Sequence, residues 1–141
     1  MGNKIFVDTS PIIYLLDEKS PLRPKAEQIF SRCMNSRDTL ITSTITCMEY
    51  LVFPYRTNNE PAINIFWEFI GDCGLKIHNI DKITAVKAAQ IRAIYPYFKT
   101  ADSLQLAAAC VSGCNLFLTN DKQLRQFDEI ACVILEELTD F

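Results

Sequence analysis

Histidine is almost missing from this chain: His78 is the only one in 141 residues. Acid–base chemistry shared between two imidazoles is therefore excluded. A Cys/His zinc site is excluded as well, because the six cysteines, at 33, 47, 73, 110, 114 and 132, form no CxxC pair and have no histidines at ligand spacing. There is no GxSxG elbow for a serine nucleophile, and no P-loop or GxGxxG to cradle a nucleotide cofactor. Long apolar runs are lacking too: charges break every hydrophobic stretch well short of the roughly 18–20 residues a membrane span needs. The opening Ile5-Phe6-Val7 meets Asp8 at once, with no small-residue cleavage site of a signal peptide after it. The 4 glycines and 6 prolines are scattered, which leaves no linker, repeat or low-complexity segment.

What is present is a globular composition, 49% hydrophobic and 22% charged. The length suits one domain over residues 1–141 with one core. Several cysteines sit inside apolar runs, as in Ala109-Cys110-Val111 and Ala131-Cys132-Val133, and read as reduced, small buried hydrophobes of a cytoplasmic protein. The net charge of −3 argues by itself against a nucleic-acid binder, since phosphate contacts need Lys and Arg. Net charge is a poor summary, however, where acids are gathered in one site around a metal ion.

Short apolar strands alternate with helices. Lys4–Val7, Thr39–Thr42, Leu75–His78, Leu116–Leu118 and Ile130–Leu135 read as strands. Ser10-Pro11 and Ser20-Pro21 read as helix starts, with a capping serine and proline at the first helical position. Further helices are expected over 44–55, from Pro61 to Gly71, from Asp81 to Ile94 and over 100–111, with a short one over 121–124. Strands that are apolar throughout are buried on both faces, so the expected class is α/β, doubly wound, with about five parallel strands between helices.

Four acids occupy telling positions in this frame. Asp8 directly follows the first strand, and Asp121 follows the fourth by three residues. In an open parallel sheet, functional groups gather beyond the carboxyl ends of the strands. An aspartate after a strand is also an ordinary helix cap. Asp102 lies in Lys99-Thr-Ala-Asp-Ser-Leu-Gln-Leu-Ala-Ala-Ala-Cys-Val111, a helix whose small apolar residues place it in the interior. An ionised carboxylate there is costly unless it is paired, hydrogen-bonded or bound to a metal. The helix N-terminus and Lys99 offer simpler ways to satisfy it. Glu49 stands in a similarly apolar helix, where one glutamate can simply face solvent. If the four converge, they repel one another and raise each other's pKa, a cost that a divalent cation removes. An all-oxygen ligand set suits Mg²⁺ or Mn²⁺ rather than zinc, and such an ion activates water and stabilises charge on a phosphate under attack. An aspartyl-phosphate phosphatase would want a second Asp two positions after Asp8, where Ser10 stands.

Val7-Asp8-Thr9-Ser10, Glu49 in a mid-chain helix, Lys99-x-x-Asp102-x-x-x-x-Ala107 and Thr119-Asn120-Asp121 resemble, in this order, the PIN domain, and within it the VapC-type toxins of toxin–antitoxin pairs. The resemblance covers essentially the whole chain. Each motif is short, and the specificity lies in the ordered set. It implies a five-stranded parallel sheet and Mg²⁺- or Mn²⁺-dependent endonucleolytic cleavage of RNA to a 5′-phosphate and a 3′-hydroxyl. It implies Asp8, Glu49, Asp102 and Asp121 as catalytic and metal-binding acids, with Thr119 as a supporting hydroxyl. Thr9 and Ser10 match positions where small polar residues are usual. It also implies a homodimer and a cognate antitoxin whose tail lies over the active-site groove.

Arg23, Lys25, Arg32, Arg92, Lys99, Lys122 and Arg125 are candidates to line an RNA groove, Lys99 and Lys122 first because they flank the acids. The ordinary reading of each is a solvated surface charge. The aromatics Tyr50, Phe53, Tyr55, Phe66, Trp67 and Phe69 read first as packing of the two middle helices; any exposed part would be a dimer face or an antitoxin groove. Competing readings are a catalytically silent PIN-like binding module, a housekeeping RNA-processing nuclease, and a phosphatase of another doubly wound family.

Overall fold

The computed structural model describes residues 2–139. Strands β1 (Lys4–Val7), β2 (Thr39–Ser43), β3 (Lys76–His78), β4 (Leu116–Thr119) and β5 (Ala131–Ile134) form one sheet in the order β3-β2-β1-β4-β5. Every neighbouring pair is parallel. Helices α1 (Thr9–Leu16), α2 (Arg23–Asn35), α3 (Thr44–Arg56), α4 (Glu60–Asp72), α5 (Lys82–Ile94) and α6 (Thr100–Val111) cover it. The doubly wound α/β class expected from the apolar strands is the architecture observed.

Side chains of a strand alternate between the two faces, and the central strands use both. Ile5 and Val7 pack with Ile12, Ile29, Phe30 and Phe66 on the side of α1, α2 and α4. Phe6 packs with Ile91, Leu106 and Phe117 on the side of α5 and α6. Phe6 and Phe117 stack across β1 and β4 with ring centroids 5.3 Å apart and planes 4° apart. Burying a side chain of this size stabilises the fold by about 1.5–3 kcal/mol. Ala107, Ala108 and Ala109 are fully buried, and their small side chains let α6 lie close against the sheet and α5. Gly113 (φ +74°) takes the left-handed conformation that turns the chain out of α6 toward β4.

Two helix starts differ from the sequence expectation. Helix α1 begins at Thr9 and is capped by Asp8, whose Oδ1 accepts the Thr9 N–H at 2.8 Å; Ser10 lies inside the helix. Helix α2 begins at Arg23 with Pro24 in its first turn. Ser20-Pro21-Leu22 instead forms a turn, in which the Ser20 hydroxyl accepts the Leu22 N–H at 3.2 Å. A serine that caps a turn and a serine that caps a helix look alike in sequence. The last strand is shorter than expected, because Leu135–Glu137 winds into a 3₁₀ turn. Among the described residues no helix is long and apolar enough to cross a membrane.

Candidate active site

The strand order reverses between β1 and β4. From β1 the chain builds outward through β2 and β3, then returns to add β4 and β5 on the other side. A crevice opens beyond the carboxyl ends of strands at such a point. Asp8 follows β1 and Asp121 follows β4, so the topology sets them on either side of it. Asp102 comes from the first turn of α6, and Glu49 from the middle of α3.

Asp8 is the centre of the arrangement and is only 8% exposed. Its Oδ1 accepts the Thr9 N–H at 2.8 Å and a Gln105 Nε2–H at 3.3 Å. Its Oδ2 accepts the Thr119 hydroxyl at 2.8 Å. The Thr119 oxygen in turn accepts the Asp121 N–H at 3.2 Å, which ties the fourth acid's backbone to the first acid's side chain. Glu49 is joined to the same centre through Thr9, whose hydroxyl donates to Glu49 Oε1 at 2.6 Å. Asp121 caps the 3₁₀ helix Lys122–Gln126, accepting the Gln123 N–H at 3.0 Å.

Asp8, Glu49 and Asp121 all act on Asp102 through their charges. Burial raises the Asp8 carboxyl above its ordinary value, and the Glu49 charge adds to that; the donors on Asp8 pull the other way. Asp102 is raised to about 6, first by burial, then by the charges of Asp8 and Asp121, with Glu49 contributing and Lys99 opposing. Asp102 is half-buried, and among the described residues it accepts no hydrogen bond. A carboxylate so placed is under-satisfied.

An all-oxygen donor set with excess negative charge and one nearby cation fits a hard divalent ion. Among the described residues, no three acid, thiol or imidazole groups are drawn into a finished metal cage.

The structure separates the supporting residues. Thr9 and Thr119 bond the acids directly. Ser10 lines an open hollow beside Asp121 together with Tyr14, Asn120, Lys122 and Gln123. Lys99 stands at the N-cap of α6 and acts on Asp102 through its charge; the ion pairs formed among the described residues do not include it. Lys122 is held by Glu136 at 3.2 Å and Glu137 at 3.8 Å, so it is already engaged. Arg125 pairs with Glu137, Arg23 with Glu27, and Lys25 donates to the Glu136 carbonyl. Arg92 donates to the Phe98 carbonyl. His78 bonds the Thr84 hydroxyl at 2.7 Å.

Four residues of the site were missed in the sequence: Thr42, Ser43, Thr46 and Gln105, all buried beneath the acids. The signals were there. A hydroxyl run, Thr42-Ser-Thr-Ile-Thr46, follows β2, and a lone glutamine follows Asp102 by three positions in an alanine-rich helix. The aromatic group divides. Phe66 and Phe69 are core, Tyr50 stacks on Phe66 at 4.7 Å, and Phe53 and Tyr55 stand exposed.

The PIN domain family model matches residues 5–130. The chain belongs to the PIN domain family. No curated protein matches the sequence. Among solved structures, the chain is similar to VapBC2 of Rickettsia felis, bound to a DNA fragment from its promoter (TM-score 0.77, 13% identity, covering 92% of this chain and 97% of that one). It is similar to FitAcB of Neisseria gonorrhoeae (TM-score 0.75, 19% identity, 95% and 99% covered). It is also similar to VapC20 of Mycobacterium tuberculosis, described as a sarcin-ricin loop cleaving toxin (TM-score 0.70, 16% identity, 89% and 95% covered). At these identities the likeness shows the fold.

Proposed function

We propose that this protein is a metal-dependent endoribonuclease and the toxin of a toxin–antitoxin pair. The observation that carries this reading is the convergence of Asp8, Glu49, Asp102 and Asp121 at the strand-order switch point, with Asp102 raised to about 6 by burial and by its neighbours' charges. Bound there, Mg²⁺ or Mn²⁺ would supply an activated water and stabilise charge on the phosphate. Asp8, Glu49 and Asp102 would hold the ion, with Asp121 completing the acidic rim. Thr9 and Thr119 keep Glu49 and Asp8 in fixed rotamers by donating to them. Lys99, which forms no ion pair among the described residues, would meet an RNA phosphate. Hydrolysis adds water across the P–O3′ bond and leaves a 5′-phosphate and a 3′-hydroxyl.

The VapBC and FitAcB likenesses support an antitoxin partner. A groove of about 430 Å³ lined by Ile13, Tyr50, Phe53, Pro54 and Ala62 runs up to Glu49, and we assign it to the antitoxin tail. The exposed Ile83, Val86 and Ile94 fall on one face of α5 and support a homodimer. Six free cysteines fit a cytoplasmic setting. The test is to map the ends of RNA cut by purified, antitoxin-free protein. Fragments bearing 5′-phosphates are expected; 2′,3′-cyclic phosphate ends would assign the cutting to a different chemistry.

A further inference from the structure

Gln105 is a glutamine in the interior, 1% exposed, on the same helix as Asp102 and one turn further on. Its amide reaches three other elements. Oε1 accepts the Ser43 hydroxyl at the end of β2. Nε2 donates to Thr46 Oγ1 on α3 at 2.7 Å and to Asp8 Oδ1 at 3.3 Å, and lies 3.4 Å from Thr9 Oγ1 on α1.

Counting hydroxyl protons orders the bonds to the amide. The one hydroxyl proton of Thr42 goes to the Val7 carbonyl at 2.7 Å, so in the 2.8 Å pair between Thr42 and Thr46 the donor is Thr46. With its own proton spent, Thr46 can only accept from Gln105. Ser43 Oγ already accepts the Ile45 N–H, which leaves its proton for Gln105 Oε1. The reversed amide would turn its oxygen toward the Asp8 carboxylate, an acceptor against an acceptor. In the observed orientation the amide donates to Thr46 and Asp8, and the Thr9 proton is left for Glu49. Buried polar networks that are fully satisfied are rigid, and a single missing donor leaves several groups unpaired.

We infer that Gln105 is a positioning residue. Its amide ties the α6 segment bearing Asp102 to Asp8 and, through Thr9 and Thr46, to Glu49, so that the three carboxylates are held in one relative placement for a divalent cation to bind. Its role is distinct from that of the acids, since it touches neither ion nor substrate. The inference rests on the metal-dependent reading of the site, and the test separates the two. Partners that orient metal ligands typically govern about 10–100-fold of metal affinity or activity.

The experiment is calorimetric titration of Mn²⁺ into wild type and Gln105→Met, an unbranched side chain of similar length without the amide, together with the melting temperature of each metal-free protein. Wild type that binds no Mn²⁺ would overturn the metal reading itself. The expected result is Mn²⁺ binding by wild type that weakens at least tenfold in Gln105→Met while the metal-free protein stays folded. Affinity within twofold of wild type would overturn the positioning role, whatever the melting temperature does. Should Gln105→Met not fold, Thr46→Val removes the amide's nearest acceptor, and the same two outcomes apply.

Discussion

Thr9 joins two acids that are 41 positions apart: its backbone N–H donates to Asp8 at 2.8 Å and its hydroxyl to Glu49 at 2.6 Å. One residue at the N-terminus of α1 therefore holds a strand-end carboxylate and a helix carboxylate in a single geometry. Thr9→Val keeps the shape and the backbone bond and removes the hydroxyl. RNA cleavage is expected to fall about 10–100-fold, with little change in melting temperature, because Glu49 is freed while the core is untouched. Cleavage kinetics beside a thermal melt check both halves.

Asp102→Asn separates stability from activity. The carboxylate is under-satisfied and repelled by Asp8, Asp121 and Glu49. Neutralising it is expected to stabilise the metal-free protein by about 1 kcal/mol, allowing for solvent screening of a half-buried group, and to raise its melting temperature by a few degrees. Cleavage should drop at least about a hundredfold with the loss of a ligand. Loss of stability in this variant would mean that the carboxylate is paired.

The same repulsion gives a pH dependence. Asp8 and Asp102 have carboxyls raised on folding, Asp102 from 3.8 to about 6. The folded state binds protons more tightly than the unfolded chain. The resulting stability is fully present below 3.8 and is lost as pH rises through about 6. The metal-free protein should therefore melt higher at pH 5 than at pH 7.5, and Asp102→Asn should flatten that difference. Below 3.8 the trend reverses at Asp81, whose carboxyl is held low by the Thr84 hydroxyl and backbone N–H. Melting curves across this range decide it.

The stacked pair Phe6 and Phe117 spans the two strands that carry Asp8 and Asp121. Phe117→Ala is expected to cost about 3–5 kcal/mol, the usual range for a buried aromatic. Chemical denaturation measures it, and a cost under about 1 kcal/mol would mean that this layer repacks freely.

Much of this was legible in the sequence, for identifiable reasons. The strands were readable because burial on both faces makes them apolar throughout, as in Lys4-Ile-Phe-Val7. Asp102 stood out because a charge inside an apolar helix needs an explanation, whereas Asp8 and Asp121, each just past a strand, could also be ordinary helix caps. Glu49 did not stand out alone, since a helix can turn one glutamate to solvent. Ser10-Pro11 set the start of α1 two residues late, and Ser20-Pro21 marked a turn with the same residues that mark a helix. Gln105 escaped because a neutral polar side chain carries no alarm until its partners are known, and those partners come from β2, α3 and the capped start of α1. Sequence also could not show that Lys122 is already paired, because Glu136 and Glu137 reach it only in the fold.

The most direct test of the central claim is RNA cleavage by purified, antitoxin-free protein in Mg²⁺, in Mn²⁺ and in EDTA, with Asp8→Asn alongside. The account predicts cutting with either ion, none in EDTA, and none by the variant under any condition. Cutting that persists in EDTA or in Asp8→Asn, or folded wild type that leaves a broad set of RNAs intact, would contradict it.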